Sequence, residues 1–209
     1  VTDKEIKDLE MHEAPATKTM AFAFGRFNPP TIGHLKLMDK VKSQSNNYKI
    51  YLSRSEDPKK NPLSPREKLS FMKKIFPQHA RNIEINSSNN ILDILVELNG
   101  NFNNIVMVAG SDRIREFDTL LKRYNDVKSR HGYYKIKVVS AGERDPDAEG
   151  ATGMSASKMR VAAEKGDLAL FKKGLPRSFG GADSLMKKVR TGMNLAASYS
   201  MMGGPGLGT

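Results

Sequence analysis

The chain lacks cysteine entirely, and no apolar run approaches the roughly 20 residues that a membrane helix needs. The absence of cysteine excludes disulfides, thiolate catalysis and thiolate metal sites. A hydrophobic content of 38% is still enough for a core, and 209 residues suit one ordinary domain with terminal extensions. We therefore expect a soluble, cytoplasmic protein without a membrane partner.

The chain also has fewer acidic than basic residues. It contains 34 Lys and Arg and 23 Asp and Glu, which gives a formal charge of +11. This charge predicts an anionic partner, but it does not distinguish a nucleotide from nucleic acid, an acidic protein or a lipid surface. Residues 158–190 hold nine of the basic residues and only three acidic ones. A solvated basic face on the last helices explains most of them as well as an anion site does.

Short apolar runs alternate with amphipathic segments along the chain. Strands are expected at residues 19–24, 48–53, 82–86, 105–109 and 134–139. Helices are expected at residues 32–41, 64–76, 91–98, just after 112, near 155–165 and at 182–190. This alternation predicts a doubly wound, five-stranded parallel sheet of the Rossmann-like α/β class.

Local signals refine the two ends of this domain and two of its helices. Ser64, Pro65 and Glu67 predict a capping box with proline in the first turn, and Thr31 is the expected cap of the first helix. Residues 1–18 are interpreted as an N-terminal arm, 19–176 as the α/β domain, and 177–209 as a basic helix with a Gly- and Met-rich tail. The arm and the tail are candidates for binding a protein partner.

The unusual loops follow the predicted strands, and a doubly wound sheet binds ligands beyond the carboxyl ends of its strands. These loops are residues 25–33, 54–64, 110–112 and 141–157. Gly25 lets backbone amides approach a phosphate, and His34 falls in the first turn of a helix whose N-terminus favours an anion. Taken alone, a histidine at such a position is more often a surface residue.

Two segments carry a resemblance to a known family. The loop Gly25-Arg26-Phe27-Asn28-Pro29-Pro30-Thr31-Ile32-Gly33-His34 resembles the T/HxGH signature of the nucleotidylyltransferase superfamily, and the nicotinamide mononucleotide adenylyltransferases in particular. The segment Met154-Ser155-Ala156-Ser157-Lys158-Met159-Arg160 is similar to the ISSTxxR segment of the same superfamily. Thr31 replaces the first histidine of many members, which shifts most of the work to His34, and Ala156 replaces a hydroxyl residue.

The resemblance implies that a substrate phosphate attacks the α-phosphorus of a nucleoside triphosphate and that pyrophosphate leaves. His34 would stabilise the transition state, Thr31 would add a hydroxyl contact, and Arg160 would bind the β- or γ-phosphate. Mg²⁺ is expected as a cofactor, held largely by the nucleotide and water. The other residues expected at the nucleotide phosphates are Gly25, Arg26, Phe27, Asn28, Gly33, Lys36, Ser155 and Ser157.

The acceptor pocket is less clearly marked. Residues 61–68 are similar to the family segment that lines it, which suggests Arg66, and Gly110-Ser111-Asp112 looks like the family's Gly-x-Asp element, which suggests Gly110 and Asp112. Helix capping explains Asp112 equally well, and a solvated lysine explains Lys36 at least as well as phosphate binding does.

The resemblance implies an enzyme that transfers a nucleoside monophosphate, AMP from ATP, to a small phosphorylated acceptor such as nicotinamide mononucleotide. Cytidylyl transfer and pantetheine-phosphate chemistry are less favoured. The alternative is a catalytically weak or inactive relative of the fold that acts as a structural or nucleic-acid-associated protein. The charge, the flanking arms and Ala156 favour this alternative, whereas the presence of His34, Ser157 and Arg160 counts against it.

Overall fold

The computed structural model describes residues 18–87, 90–98, 101–123, 135–142 and 153–199. In these ranges five parallel strands form one sheet in the order β3-β2-β1-β4-β5. The strands are β1 (Thr19–Gly25), β2 (Tyr48–Leu52), β3 (Ile83–Ile85), β4 (Asn104–Ala109) and β5 (Lys135–Ser140). The predicted five-stranded parallel α/β sheet is thus confirmed.

Seven α-helices accompany the sheet in the described part of the chain. They are α1 (Gly33–Gln44), α2 (Pro65–Ile75), α3 (Ile91–Leu98), α4 (Ile114–Lys122), α5 (Ala156–Glu164), α6 (Leu168–Lys172) and α7 (Ala182–Gly192). Short 3-10 helices occupy Pro77–Asn82 and Ser111–Arg113. None of the described helices combines the length and apolar character that crossing a membrane requires.

Side chains alternate along the strands and create a core on each face of the sheet. In β1, Ala21 and Ala23 pack into the core beneath α1, α2, α5, α6 and α7, whereas Met20 and Phe22 pack into the core beneath α3 and α4. This alternation follows from the two-residue period of a strand. Both faces are covered, as expected of a parallel sheet.

The predicted capping box of α2 is confirmed. Glu67 N donates to Ser64 Oγ (3.3 Å), and Ser64 N donates to the Glu67 carboxylate (3.1 Å). The prediction that Thr31 caps α1 is wrong, because Ile32 occupies the cap position without a side-chain cap bond. The amide of Thr31 instead donates to His34 Nδ1 (2.9 Å), which makes Thr31 a support for the histidine.

The C-terminal part of the domain differs most from expectation. Helix α6 was not predicted, since its five residues are too few for a period; Asp167 caps it by accepting a bond from Leu170 N (2.9 Å). Helix α7 ends at Gly192, two residues later than expected, and contributes Leu185, Met186 and Val189 to the core shared with α5.

Arg190 does not belong to a solvated basic face. It is buried, and its guanidinium donates to Ala163 O (2.6 Å) at the end of α5 and to Ala196 O (2.8 Å) beyond α7. Tyr199 OH donates to Asp183 Oδ1 (2.5 Å), so the segment 193–199 is attached to the helices. The predictions for residues 1–17, Tyr134, residues 143–152 and residues 200–209 lie outside the described residues.

Candidate active site

A cavity of about 360 Å³ opens beyond the carboxyl ends of β1 and β4. The strand order reverses between these two neighbours, because β2 and β3 lie on one side of β1 whereas β5 lies beyond β4. Such a switch point is the usual ligand site of an open α/β sheet. The cavity gathers ten of the predicted site residues, namely Gly25, Arg26, Phe27, Asn28, His34, Gly110, Asp112, Ser155, Ser157 and Arg160.

The other four predicted site residues are not among the described residues that line the cavity. Thr31 is buried beside His34, and Gly33 adjoins Thr31 Oγ1. Lys36 is exposed, and its Nζ lies beside Gly142. A Cβ built on that glycine would be 2.9 Å from Nζ. Arg66 is exposed in the first turn of α2.

Asn28 fixes the shape of residues 25–34, which are called the phosphate loop after the ligand predicted for them. Its side chain is 2% exposed and exchanges two hydrogen bonds with the backbone of Leu63: Asn28 Nδ2 donates to Leu63 O (3.0 Å), and Leu63 N donates to Asn28 Oδ1 (2.9 Å). The next peptide bond, Asn28–Pro29, is cis. This pairing attaches the loop to the segment that precedes α2.

Gly25 is required for a reason that the sequence did not reveal. A Cβ at this position would lie 2.8 Å from Cε2 of Phe27, so the ring occupies the space that any other residue would need. Phe27 itself has a φ of 45°, in the left-handed region. The ring then packs edge-on against His34, with centroids 4.8 Å apart.

The hydrogen bonding of His34 determines which nitrogen carries the proton. Because Thr31 N donates to Nδ1, a neutral His34 ring carries its proton on Nε2. The side chain is 6% exposed and lines the cavity. His34 can therefore offer Nε2–H as a hydrogen-bond donor while the backbone fixes the ring from behind.

Arg160 joins the two motifs, which are separated by 132 residues. Its Nη1 donates to Asn28 O (2.8 Å) in the phosphate loop, and its Nη2 donates to Ser157 Oγ (3.0 Å) in the first turn of α5. Burial is the main cause that lowers the pKa of Arg160, and the nearby positive charge of Arg26 lowers it further. The side chain still stays protonated, as arginines in proteins do.

Helix α5 begins at the cavity. Ser155 is its N-cap and accepts a hydrogen bond from Lys158 N (3.1 Å). The cavity is lined by Ser155, Ala156 and Ser157, so an anion in it could contact the first turn of the helix. The capping bond occupies part of the hydrogen-bonding capacity of Ser155.

The charges around the cavity are strongly unequal. Arg26, Lys60, Arg113 and Arg160 line it, against one carboxylate, that of Asp112, among the described lining residues. The prediction that Asp112 caps a helix is wrong. Gly110 occupies the N-cap position of the 3-10 helix and Arg113 that of α4, and neither helix has a side-chain cap bond. The arrangement favours a polyanionic ligand.

Sequence reasoning missed several lining residues, of which Lys60, Arg113 and Phe117 are the most informative. Lys60 lies in the polar loop after β2, where its backbone N–H donates a hydrogen bond to Asp57 Oδ1 (2.8 Å). The guanidinium of Arg113 lies 4.4 Å from the Phe117 ring centroid and pairs with Glu116 (3.3 Å). Adjacency to Gly110-Ser111-Asp112 was the available signal for Arg113, whereas an aromatic residue on the apolar face of α4 predicts only core packing for Phe117. The remaining lining residues are Phe24, Leu37, Val108, Ala109 and Ala156.

The chain is similar to known proteins in sequence and in fold. A sequence model of the cytidylyltransferase-like family matches residues 22–162. A protein from Vibrio parahaemolyticus described as a nicotinate-nucleotide adenylyltransferase matches at 13% identity and a TM-score of 0.49, over 83% of this chain and 99% of that one. A bifunctional NMN adenylyltransferase/ADP ribose pyrophosphatase from Francisella tularensis matches at 14% identity and a TM-score of 0.57, over 85% of this chain.

The chain spans about half, 53%, of the length of the Francisella protein. At this identity the likeness concerns the fold. Curated protein sequences gave no match.

Proposed function

The chain belongs to the cytidylyltransferase-like family of nucleotidylyltransferases, and we propose that it transfers AMP from ATP to a small phosphorylated acceptor, such as nicotinamide mononucleotide, with release of pyrophosphate. The observation that carries the proposal is the bond from Arg160 to Asn28 O, which joins the T/HxGH loop and the start of α5 in one cavity. The name of the structural neighbour from Francisella tularensis, an NMN adenylyltransferase, supports the choice of AMP and of the acceptor.

The nucleotide polyphosphate would lie between the phosphate loop and α5. Arg26 and Arg160 supply positive charge, and the first turn of α5 supplies backbone donors. Lys60 adds a third cation from the loop after β2. Three cations beside one helix N-terminus are matched to a ligand with several phosphates.

In the proposed reaction an acceptor phosphate oxygen forms a bond to the α-phosphorus, the bond from that phosphorus to the pyrophosphate oxygen breaks, and its electron pair leaves with pyrophosphate. No covalent enzyme intermediate is needed, because positioning and charge neutralisation supply the catalysis. His34 would donate Nε2–H to a phosphate oxygen whose charge grows in the transition state. Thr31 is a positioning residue in this scheme, since its amide holds the ring.

Mg²⁺ would supply further neutralisation of phosphate charge when bound. The donor set fits a metal that arrives with the nucleotide, because Asp112 is the one carboxylate among the described lining residues, and the described residues hold no cluster of three or more His, Cys, Asp or Glu. The acceptor would enter on the β4 side, where Gly110, Asp112 and Arg113 line the cavity.

The test is a pyrophosphate-release assay with Mg²⁺, each of the four nucleoside triphosphates and a panel of phosphorylated acceptors. We expect ATP with a mononucleotide acceptor to give the fastest release. The variant His34→Ala should lower kcat by about 100-fold or more, as loss of a transition-state donor does. Ser43→Ala, an exposed change on the same helix, is the matched control.

The outcomes separate the function from the residue assignment. Absence of pyrophosphate with every pair would exclude the proposed activity, whereas equal rates in His34→Ala and wild type would exclude only the role of His34. Binding of nucleic acid that weakens steeply with salt, together with no ATP binding, would support a nucleic-acid-associated function instead.

A further inference from the structure

Lys68 is a lysine with 0% exposure, in the first half of α2. It does not belong to the described lining of the cavity. Its Nζ donates to Ser53 O (2.6 Å) and lies 3.4 Å from Ser53 Oγ. A fully buried lysine is rare because removing its charge from water is costly, so its contacts call for an explanation beyond packing.

The partner of Lys68 is connected directly to the phosphate loop. Ser53 follows β2, and its amide donates to Gly25 O (2.9 Å) at the end of β1. A continuous path therefore runs from the Lys68 ammonium through the Ser53 peptide to Gly25, where the cavity begins. Through this path the buried side chain of α2 contacts the backbone residue that continues the pairing of β1 with β2.

The charges that act on Lys68 come from two loops at the same edge of the sheet. Burial is the main cause that lowers the pKa of Lys68 to about 8; the positive charge of Arg26 lowers it further, and Glu56 opposes this effect. Arg26 also lowers the pKa of Arg160. Arg26 therefore repels two other cations as long as no anion lies between them.

We propose that Lys68 is a positioning residue whose protonation is coupled to nucleotide binding, so that a polyphosphate in the cavity keeps Lys68 protonated and protonated Lys68 holds the Ser53–Gly25 junction in its binding form. The inference rests on the proposed function only in taking a nucleoside triphosphate as the occupant of the cavity. A polyanion beside Arg26 cancels the repulsion that Arg26 exerts on Lys68. ATP binding must then take up a proton wherever free Lys68 is partly deprotonated.

The experiment is isothermal titration of the full chain with ATP and Mg²⁺, at pH 7 and pH 8.5, in pairs of buffers that differ in ionisation enthalpy. The terminal phosphate of a phosphate ester loses its second proton near pH 6, so uptake at pH 8.5 reports on the protein. If ATP raises the pKa of Lys68 by one unit, uptake at pH 8.5 is about half a proton, and affinity falls about fivefold from pH 7 to pH 9.

Two substitutions separate coupling from simple support. Lys68→Arg keeps a cation that does not deprotonate, so its ATP affinity should be nearly constant from pH 7 to pH 9 with no proton uptake from this site. Lys68→Met removes the charge and the bonds to Ser53, and it should bind ATP more weakly already at pH 7. The exposed Lys59→Met is the control that should keep the wild-type pH profile.

Each outcome decides between the proposals. Proton uptake in the wild type that disappears in Lys68→Arg supports the coupling. ATP binding by the wild type without proton uptake at pH 8.5 overturns it and leaves the proposed function intact, and this measurement needs no variant. Unchanged proton uptake in Lys68→Arg also overturns it. Failure of the wild type to bind ATP overturns both proposals, whereas coupled binding without pyrophosphate release overturns only the function.

Discussion

Replacing Asn28 with alanine should destabilise the protein by about 3 kcal/mol, because each buried backbone group left without its partner costs about 1–3 kcal/mol. The substitution removes both bonds between Asn28 and Leu63, which leaves the N–H and the C=O of a fully buried residue unsatisfied. Two such groups would together cost about 2–6 kcal/mol. The expected loss lies in the lower half of this range, because water from the adjoining cavity can hydrogen-bond to the exposed groups. For a chain of this length the melting temperature should fall by about 6–12 °C.

The assay is urea unfolding followed by far-ultraviolet circular dichroism, with linear extrapolation to water. Asn28→Asp keeps the acceptor for Leu63 N but, while ionised, loses the donor to Leu63 O. It should therefore be destabilised at pH 7 and recover in part at low pH, where the protonated carboxyl can donate. Asn46→Ala, an exposed asparagine, should change stability by less than about 0.5 kcal/mol. A loss below about 1 kcal/mol for Asn28→Ala would refute the reasoning that this pairing holds the phosphate loop.

Three further perturbations test other contacts by the same unfolding assay. Ser64→Ala removes the capping box of α2 and should lower the free energy of unfolding by about 1 kcal/mol; an unchanged value would contradict the capping role. Since the pKa of Lys68 is about 8 when folded and 10.5 when free, the folded state binds fewer protons between these values, and stability rises with pH. The wild type should therefore gain about 2 kcal/mol relative to Lys68→Met from pH 7 to pH 9.5, and a loss would show that the sign is wrong. Arg190→Met leaves the carbonyls of Ala163 and Ala196 without this donor and should cost about 2 kcal/mol and hasten proteolysis within 193–199; equal cleavage would contradict the anchoring role.

The parallel sheet was predictable because β1 and β4 are short apolar runs and β3 and β5 contain alternating apolar and charged residues, each bounded by glycine or polar loops. Helix α2 was predictable because its capping box is local in sequence. The approach of residues 25–34 to residues 155–160 was also foreseeable, since both follow strands at the same edge of a parallel sheet.

Contacts between distant residues were beyond the reach of such patterns. The pairing of Asn28 with Leu63 spans 35 residues, and no local rule distinguishes it from an asparagine turn. Thr31 was placed at a cap because its hydroxyl suits that role, but the structure gives its amide to His34. Arg190 was grouped with solvated cations, although tertiary packing buries it against backbone carbonyls.

Helix α5 is held by an arginine at each end, Arg160 at the cavity and Arg190 at the opposite end, and this has a consequence for shortening the chain. Arg190 also binds the carbonyl of Ala196, so a cut after Gly192 would remove one of the groups that keep Arg190 on α5. We therefore expect a fragment that keeps these contacts of α5 and α7 to extend at least to Tyr199. A fusion partner joined before that residue would disturb the contacts of Arg190 with the end of α5, the helix whose first turn is proposed to bind the nucleotide phosphates.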